Sequence, residues 1–125
     1  RRVSARPTCS RSIDPRSSGT LVAPDGTASR LTADEFRLEP GRVWTSPTSG
    51  ARYPLAWRVL VPGSGINLSV TAGVENQELS AQSTGVTYWE GAIDVTGGLG
   101  DSRAEGRGYL EMTGYAGPSM GTLLR

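Results

Sequence analysis

Between Tyr53 and Ala72, apolar side chains recur at every second position. Tyr53, Leu55, Trp57, Val59 and Val61 fall on one face of an extended chain, with Arg58 on the other. After Pro62–Gly65, a second run places Ile66, Leu68, Val70 and Ala72 on one face and Asn67, Ser69 and Thr71 opposite. A period of two is the period of a strand, because successive side chains leave a pleated backbone on opposite sides. Joined by a Pro-Gly-rich connection, the two runs predict an antiparallel hairpin. With 17 Gly and 8 Pro in 125 residues, the rest of the chain reads as short elements and turns rather than a helical bundle.

The same punctuation continues on both sides. Gly19–Ala23 is a short extended run, and Pro24-Asp25-Gly26 is a turn signal. Leu31–Leu38 reads as one helical turn, with Thr32 to Glu35 as an N-cap-like start, or as a bent strand. Ser46–Gly50 is a loop, and Glu75–Ser80 a polar strand or rim segment. Thr87–Thr96 predicts a strand with Trp89, Gly91, Ile93 and Val95 on one face and Tyr88, Glu90 and Asp94 on the other. Gly97–Gly106 predicts a flexible hairpin loop. Arg107–Tyr115 predicts the last strand, with Tyr109, Glu111, Thr113 and Tyr115 sharing a face against Leu110 and Met112. Strands at this spacing imply an all-β antiparallel meander closing toward a barrel or sandwich, and closure would remove edge strands. Residues 1–18 read as a basic arm or linker, 19–117 as the domain and 118–125 as a tail. Arg1–Gly19 holds five Arg and one Asp, and without interleaved aromatics it reads as solvated rather than as a nucleic-acid contact.

Missing residue types narrow the chemistry. The chain has no His, which removes the usual triad base and the commonest zinc ligand. It has no Lys, so neither a Schiff-base lysine nor a phosphate-loop lysine exists. Cys9 is the single cysteine, so no internal disulfide can form. A net charge of +1 gives no global field for nucleic acid or anionic membrane. No window is apolar enough for a membrane-spanning helix. Proton chemistry is left to carboxylates, tyrosines and arginines, and no metal or cofactor is expected.

Five segments occur in order: Trp44-Thr45-Ser46-Pro47-Thr48-Ser49-Gly50, Tyr53-Pro54-Leu55-Ala56-Trp57, Gln77-Glu78-Leu79, Tyr88-Trp89-Glu90-Gly91-Ala92, and Gly106 through Tyr115 (GRGYLEMTGY). Together, and with the earlier Asp14–Val22 and Asp25-Gly26, they resemble the C-terminal lipocalin-like domain of the carotenoid 1,2-hydratase (hydroxyneurosporene synthase) and AttH-like family. The resemblance covers roughly residues 12–116. It implies an all-β, antiparallel lipocalin-like (calycin) β-barrel and a cavity for a long, apolar, unsaturated ligand such as a polyene or terpenoid. It also implies cofactor-free addition of water to a C=C bond by some members, and a secreted or periplasmic setting for many bacterial ones. Relatives carry a whole first domain before the stretch matching Asp14, so the chain resembles the last part of a larger protein. The barrel is therefore expected to be incomplete, or closed by a homodimer or a companion N-terminal domain.

Within these motifs, Glu90 and Glu111 are the candidate catalytic acids. Trp57, Tyr88, Trp89, Tyr109 and Arg58 are the candidate ligand contacts. Glu78 is a third carboxylate in the same motifs. Hydrating an alkene needs a proton donor, which a buried carboxylic acid can be, and then water or a base. Aromatic faces suit the intervening cation. The same residues also fit a purely structural reading, in which a Glu facing Arg58 or Arg107 is a register-fixing ion pair and the aromatics are core. The hydratases' own catalytic residues cannot be matched to this stretch position by position, and they would use His that this chain lacks. Two further readings stay open: a non-catalytic binding or assembly module, and a small cofactor-free hydrolase of the kind labelled predicted secreted hydrolase. The latter has no Gly-x-Ser-x-Gly elbow.

Overall fold

The structure is a computed structural model that describes residues 14–81, 83 and 85–116. Most of the basic arm and the whole C-terminal tail, residues 118–125, lie outside the described residues. The chain divides into two compact units, one ending at Phe36 and the other beginning at Arg37.

In the first unit, β1 (Ser18–Val22) and β2 (Ala28–Thr32) form an antiparallel hairpin in continuous register from Ser18↔Thr32 to Val22↔Ala28. Its turn forms as Pro24-Asp25-Gly26 predicts. The Asp25 carboxylate accepts from Thr27 N at 2.9 Å, and Ala23 N donates to Thr27 O at 2.9 Å. The ambiguous stretch after Leu31 resolves as a bend rather than a helix. Thr32 N donates to Glu35 Oε2 at 2.7 Å, the Thr32 hydroxyl bonds Asp34, and Glu35 N closes back on Thr32 O at 3.0 Å. These are the bonds of a helix start, but β3 takes over at Arg37 before a helix can propagate.

The second unit is a curled antiparallel sheet, half of a barrel. Its strands are β3 (Arg37–Pro40), β6 (Ala56–Val61), β7 (Ile66–Ala72), β8 (Glu78–Ala81), β9 (Val86–Leu99) and β10 (Ser102–Thr113). They run in the order β10-β9-β7-β6-β3, with β8 also on β9. A separate ribbon pairs β4 (Val43–Thr45) with β5 (Arg52–Pro54). The β6–β7 hairpin has the predicted register, Ala56↔Thr71 through Val61↔Ile66, around a 3-10 turn at Pro62–Ser64. The run beginning at Tyr53 is not one strand, however. Leu55 breaks it, leaving Tyr53 in the ribbon, while Leu55 N donates to Arg42 O and Leu55 O accepts from Ala72 N.

Strand β9 is the spine. One side pairs β10 along its length, while the other pairs β8 through Val86–Trp89 and β7 through Ile93–Leu99. The expected loop at Gly97–Gly106 is instead strand on both sides of a two-residue turn at Gly100-Asp101. Its glycines belong to close packing. A Cβ on Gly97 would run into the Asn67 carbonyl and Leu68 Cα of β7, so glycine lets the two backbones approach.

Alternation and register assign β6, β7, β9 and β10 a core face and a polar face. Val61, Ile66, Val70, Ala72, Trp89 and Met112 are buried on the core face. Ala72, Trp89 and Met112 form one cluster with Ala51, Tyr53 and Leu55 from the ribbon side, and Trp57, Ile93 and Leu110 pack against it. Trp89, Tyr53 and Leu55 are the largest fully buried side chains. Burying a ring or branched side chain of this size contributes about 1.5–3 kcal/mol. Tyr115 departs from its expected place beside Glu111. The strand ends at Thr113, and past Gly114 the Tyr115 ring lies tilted against Tyr53, centroids 5.7 Å apart, on the core side.

Candidate functional site

Two groups of carboxylates and hydroxyls are built on this frame. The first surrounds Glu78 at the start of β8. Ser46 Oγ donates to Glu78 Oε1 at 2.6 Å, while Ser49 Oγ and Tyr53 Oη donate to Oε2 at 2.6 and 2.8 Å. The loop between β4 and β5 is shaped for this. Ser46 Oγ also accepts Thr48 N and Ser49 N, and Ser49 Oγ accepts Ala51 N. Burial alone would raise the Glu78 carboxyl, but the Ser46, Ser49 and Tyr53 donors outweigh it and hold it below the ordinary value. The Tyr53 hydroxyl is pushed well above its ordinary value, first by burial and then by Glu78. Beside this cage, Arg42 pairs with Glu75 at 2.7 Å, and the Trp89 indole donates to Glu75 O at 2.7 Å. The Gln77 side chain occupies the space a Cβ on Gly91 would need. The segment from Glu75 to Glu78 is thereby fixed across the end of the core face.

The second group lies on the polar face of β9 and β10. Glu90 and Glu111 are direct cross-strand partners, Tyr88 stands opposite Thr113, and Tyr109 opposite Ala92. Tyr109 is 65% exposed. Its hydroxyl is nonetheless raised from the ordinary value, first by desolvation, then by the charge of Glu90 and a hydrogen bond to it, and then by Glu111 and Tyr88. The four side chains expected to act together, Tyr88, Glu90, Tyr109 and Glu111, therefore do share one patch. Glu90 is half-buried and Glu111 exposed.

Trp57 and Trp89 are divided from them by the strand period, and Arg58 by its distance across the sheet. Trp89 is fully buried on the core face, and Trp57 lies on that face with its indole donating to Pro54 O at 3.0 Å. Arg58 shares the polar face but stands on β6, two strands from β9, and donates to Asn67 Oδ1 at 2.5 Å. Among the described residues no Arg comes within ion-pair distance of Glu90 or Glu111. Arg107 faces Asp94 instead, at 3.8 Å. The register-fixing pair considered for Glu90 does not form with Arg58 or Arg107. A shallow groove of about 440 Å³ runs along Asp94–Thr96 and Glu105–Arg107, farther along the same two strands. Among the described residues no three Cys, Asp or Glu side chains gather as a metal site. No helix there is long and apolar enough to cross a membrane.

Comparison with known proteins places this frame. The AttH-like family model matches residues 8–115. The chain belongs to the AttH-like family. The crystal structure of an AttH protein from Nitrosomonas europaea superposes with a TM-score of 0.67 at 36% identity, over 78% of this chain and 29% of that one. Kievitone hydratase from Nectria haematococca superposes with a TM-score of 0.62 at 25% identity, over 75% of this chain and 28% of that one. This AttH-like chain thus spans less than a third of each of those proteins. Among curated proteins none matches it significantly. The curled sheet is the lipocalin-like half-barrel that the resemblance implies.

Proposed function

We propose that this AttH-like domain forms one wall of a binding site for a hydrophobic polyene or terpenoid-like molecule, and that the wall serves a hydratase-type reaction in a complete protein. The observation that carries the reading is the Tyr88–Glu90–Tyr109–Glu111 patch, standing on a half-barrel similar to that of a hydratase. The facing pair Glu90 and Glu111 brings one transferable proton to the reaction. Glu90, the more buried of the two, gives that proton to one alkene carbon, leaving a carbocation on the other. The Tyr88 and Tyr109 rings flank the cation. Glu111 accepts a proton from the attacking water as its oxygen bonds to the cation, so one water is added overall and the proton count is restored. Trp57 and Trp89 back the wall from the core face rather than touching the ligand. Arg58 lies at the ligand's far end.

The test is turnover of an acyclic polyene by the intact protein, read as gain of one water by mass spectrometry, with Glu90→Gln and Glu111→Gln alongside. Loss of about 10²–10⁴-fold in rate for each, with the fold retained, is expected of a group that transfers a proton. Full turnover in both variants would end the reading. One observation favours a second reading, an assembly module: the outer edge of β10 has no strand partner among the described residues.

A further inference from the structure

That edge is long, and no strand covers it among the described residues. β10 pairs β9 one-to-one over Ser102–Thr113 with no bulge, and it contains no Pro and no Lys. Bulges and prolines block such pairing, and charged side chains oppose it unless the partner strand sets the opposite sign against them. Leu99 and Ser102 close the two-residue turn. Even-numbered residues of β10 therefore direct their backbone groups at β9, and odd-numbered residues from Arg103 onward turn theirs outward. The side chains of those odd positions carry alternating charge: Arg103, Glu105, Arg107, then Tyr109 and Glu111. Their present ion pairs are long, Arg103–Glu105 at 3.9 Å and Arg107–Asp94 at 3.8 Å, and all four side chains are exposed.

We propose that the outer edge of β10 is a self-association surface on which two copies of this chain pair β10 with β10, antiparallel, about a two-fold axis at Gly106. That register sets Glu105 opposite Arg107 of the second copy and Arg107 opposite its Glu105. It sets Arg103 opposite the second copy's Tyr109, with Glu111 on the diagonal. Opposite charges and a cation over a ring are favourable cross-strand pairs. Moving the axis to Arg107 or Glu105 would set Arg on Arg or Glu on Glu. Moving it to Ala104 keeps unlike charges together but shortens the ladder to Ser102–Gly106. The chosen register also brings each copy the cation that its Glu90–Glu111 pair lacks among the described residues. The pairing does not depend on the hydratase-type reading, and its test reads mass rather than turnover.

The experiment is sedimentation equilibrium on the full 125-residue chain, with circular dichroism to confirm that each variant is folded. A dimer is expected for the native sequence. Glu105→Arg, which meets Arg107 twice across the axis, raises the dimer dissociation constant by about tenfold. Glu105→Arg combined with Arg107→Glu restores it. A monomer at the highest soluble concentration overturns the proposal. So does a dimer indifferent to Glu105→Arg, or a weakened dimer that the double exchange fails to rescue.

Discussion

Glu78 and Glu111 flank β9 from opposite sides, one on β8 and the other on β10, and their surroundings are opposite in kind. Glu78 receives three hydroxyl donors drawn from a ribbon 25 to 32 residues away in sequence. Each donor favours the charged form, so this carboxylate is committed to joining the β4–β5 ribbon to the sheet. Glu111 faces Glu90, and no cation lies within ion-pair distance among the described residues. A like-charge pair opposite one another costs stability, so packing does not account for keeping it. The contrast separates an acid that joins two parts of the fold from a pair of facing acids with no cation at ion-pair distance among the described residues.

The sharpest way to break the comparison is to remove the committed acid. Glu78→Ala leaves the hydroxyls of buried Ser46 and Tyr53 without their acceptor and should cost about 2–3 kcal/mol in urea unfolding. The pH dependence carries a sign. The folded Glu78 carboxyl lies below its ordinary value, so its contribution is full above about pH 4.3 and is lost as pH falls through the folded value. The stability gap between the native sequence and Glu78→Gln should therefore close in acid. A smaller effect is expected from Tyr53→Phe, which deletes one of three donors and should cost about 1 kcal/mol in thermal unfolding. The smallest has the opposite sign. Glu111→Gln relieves the repulsion with Glu90 and should raise the urea midpoint, by about 0.5 kcal/mol in stability.

Much of the sheet was legible from alternation alone. The β6–β7 hairpin and its turn follow from the Tyr53–Ala72 pattern, and the division of Trp89 from Glu90 follows from strand parity. Parity cannot say how far a face is buried, and only packing shows Trp89 fully enclosed and Trp57 half-buried against the same cluster. The glycines from Gly97 to Gly106 read as a loop because their purpose, room for β7 against Gly97, is a tertiary contact with no local signature. The Glu78 cage was hidden for the same reason. Its donors sit in the Ser46–Gly50 loop and at Tyr53, and only the fold brings them to β8. The family-like motifs did contain every member of the cage, so the signal was present as a set of segments without the geometry that joins them.

The most direct measurement is carbodiimide labelling of carboxylates in the native protein, followed by peptide mapping. Glu111 should be modified readily, while Glu78, hydrogen-bonded by Ser46, Ser49 and Tyr53, should be protected until the protein unfolds. Modification of Glu78 at the rate of Glu111 under native conditions would contradict it.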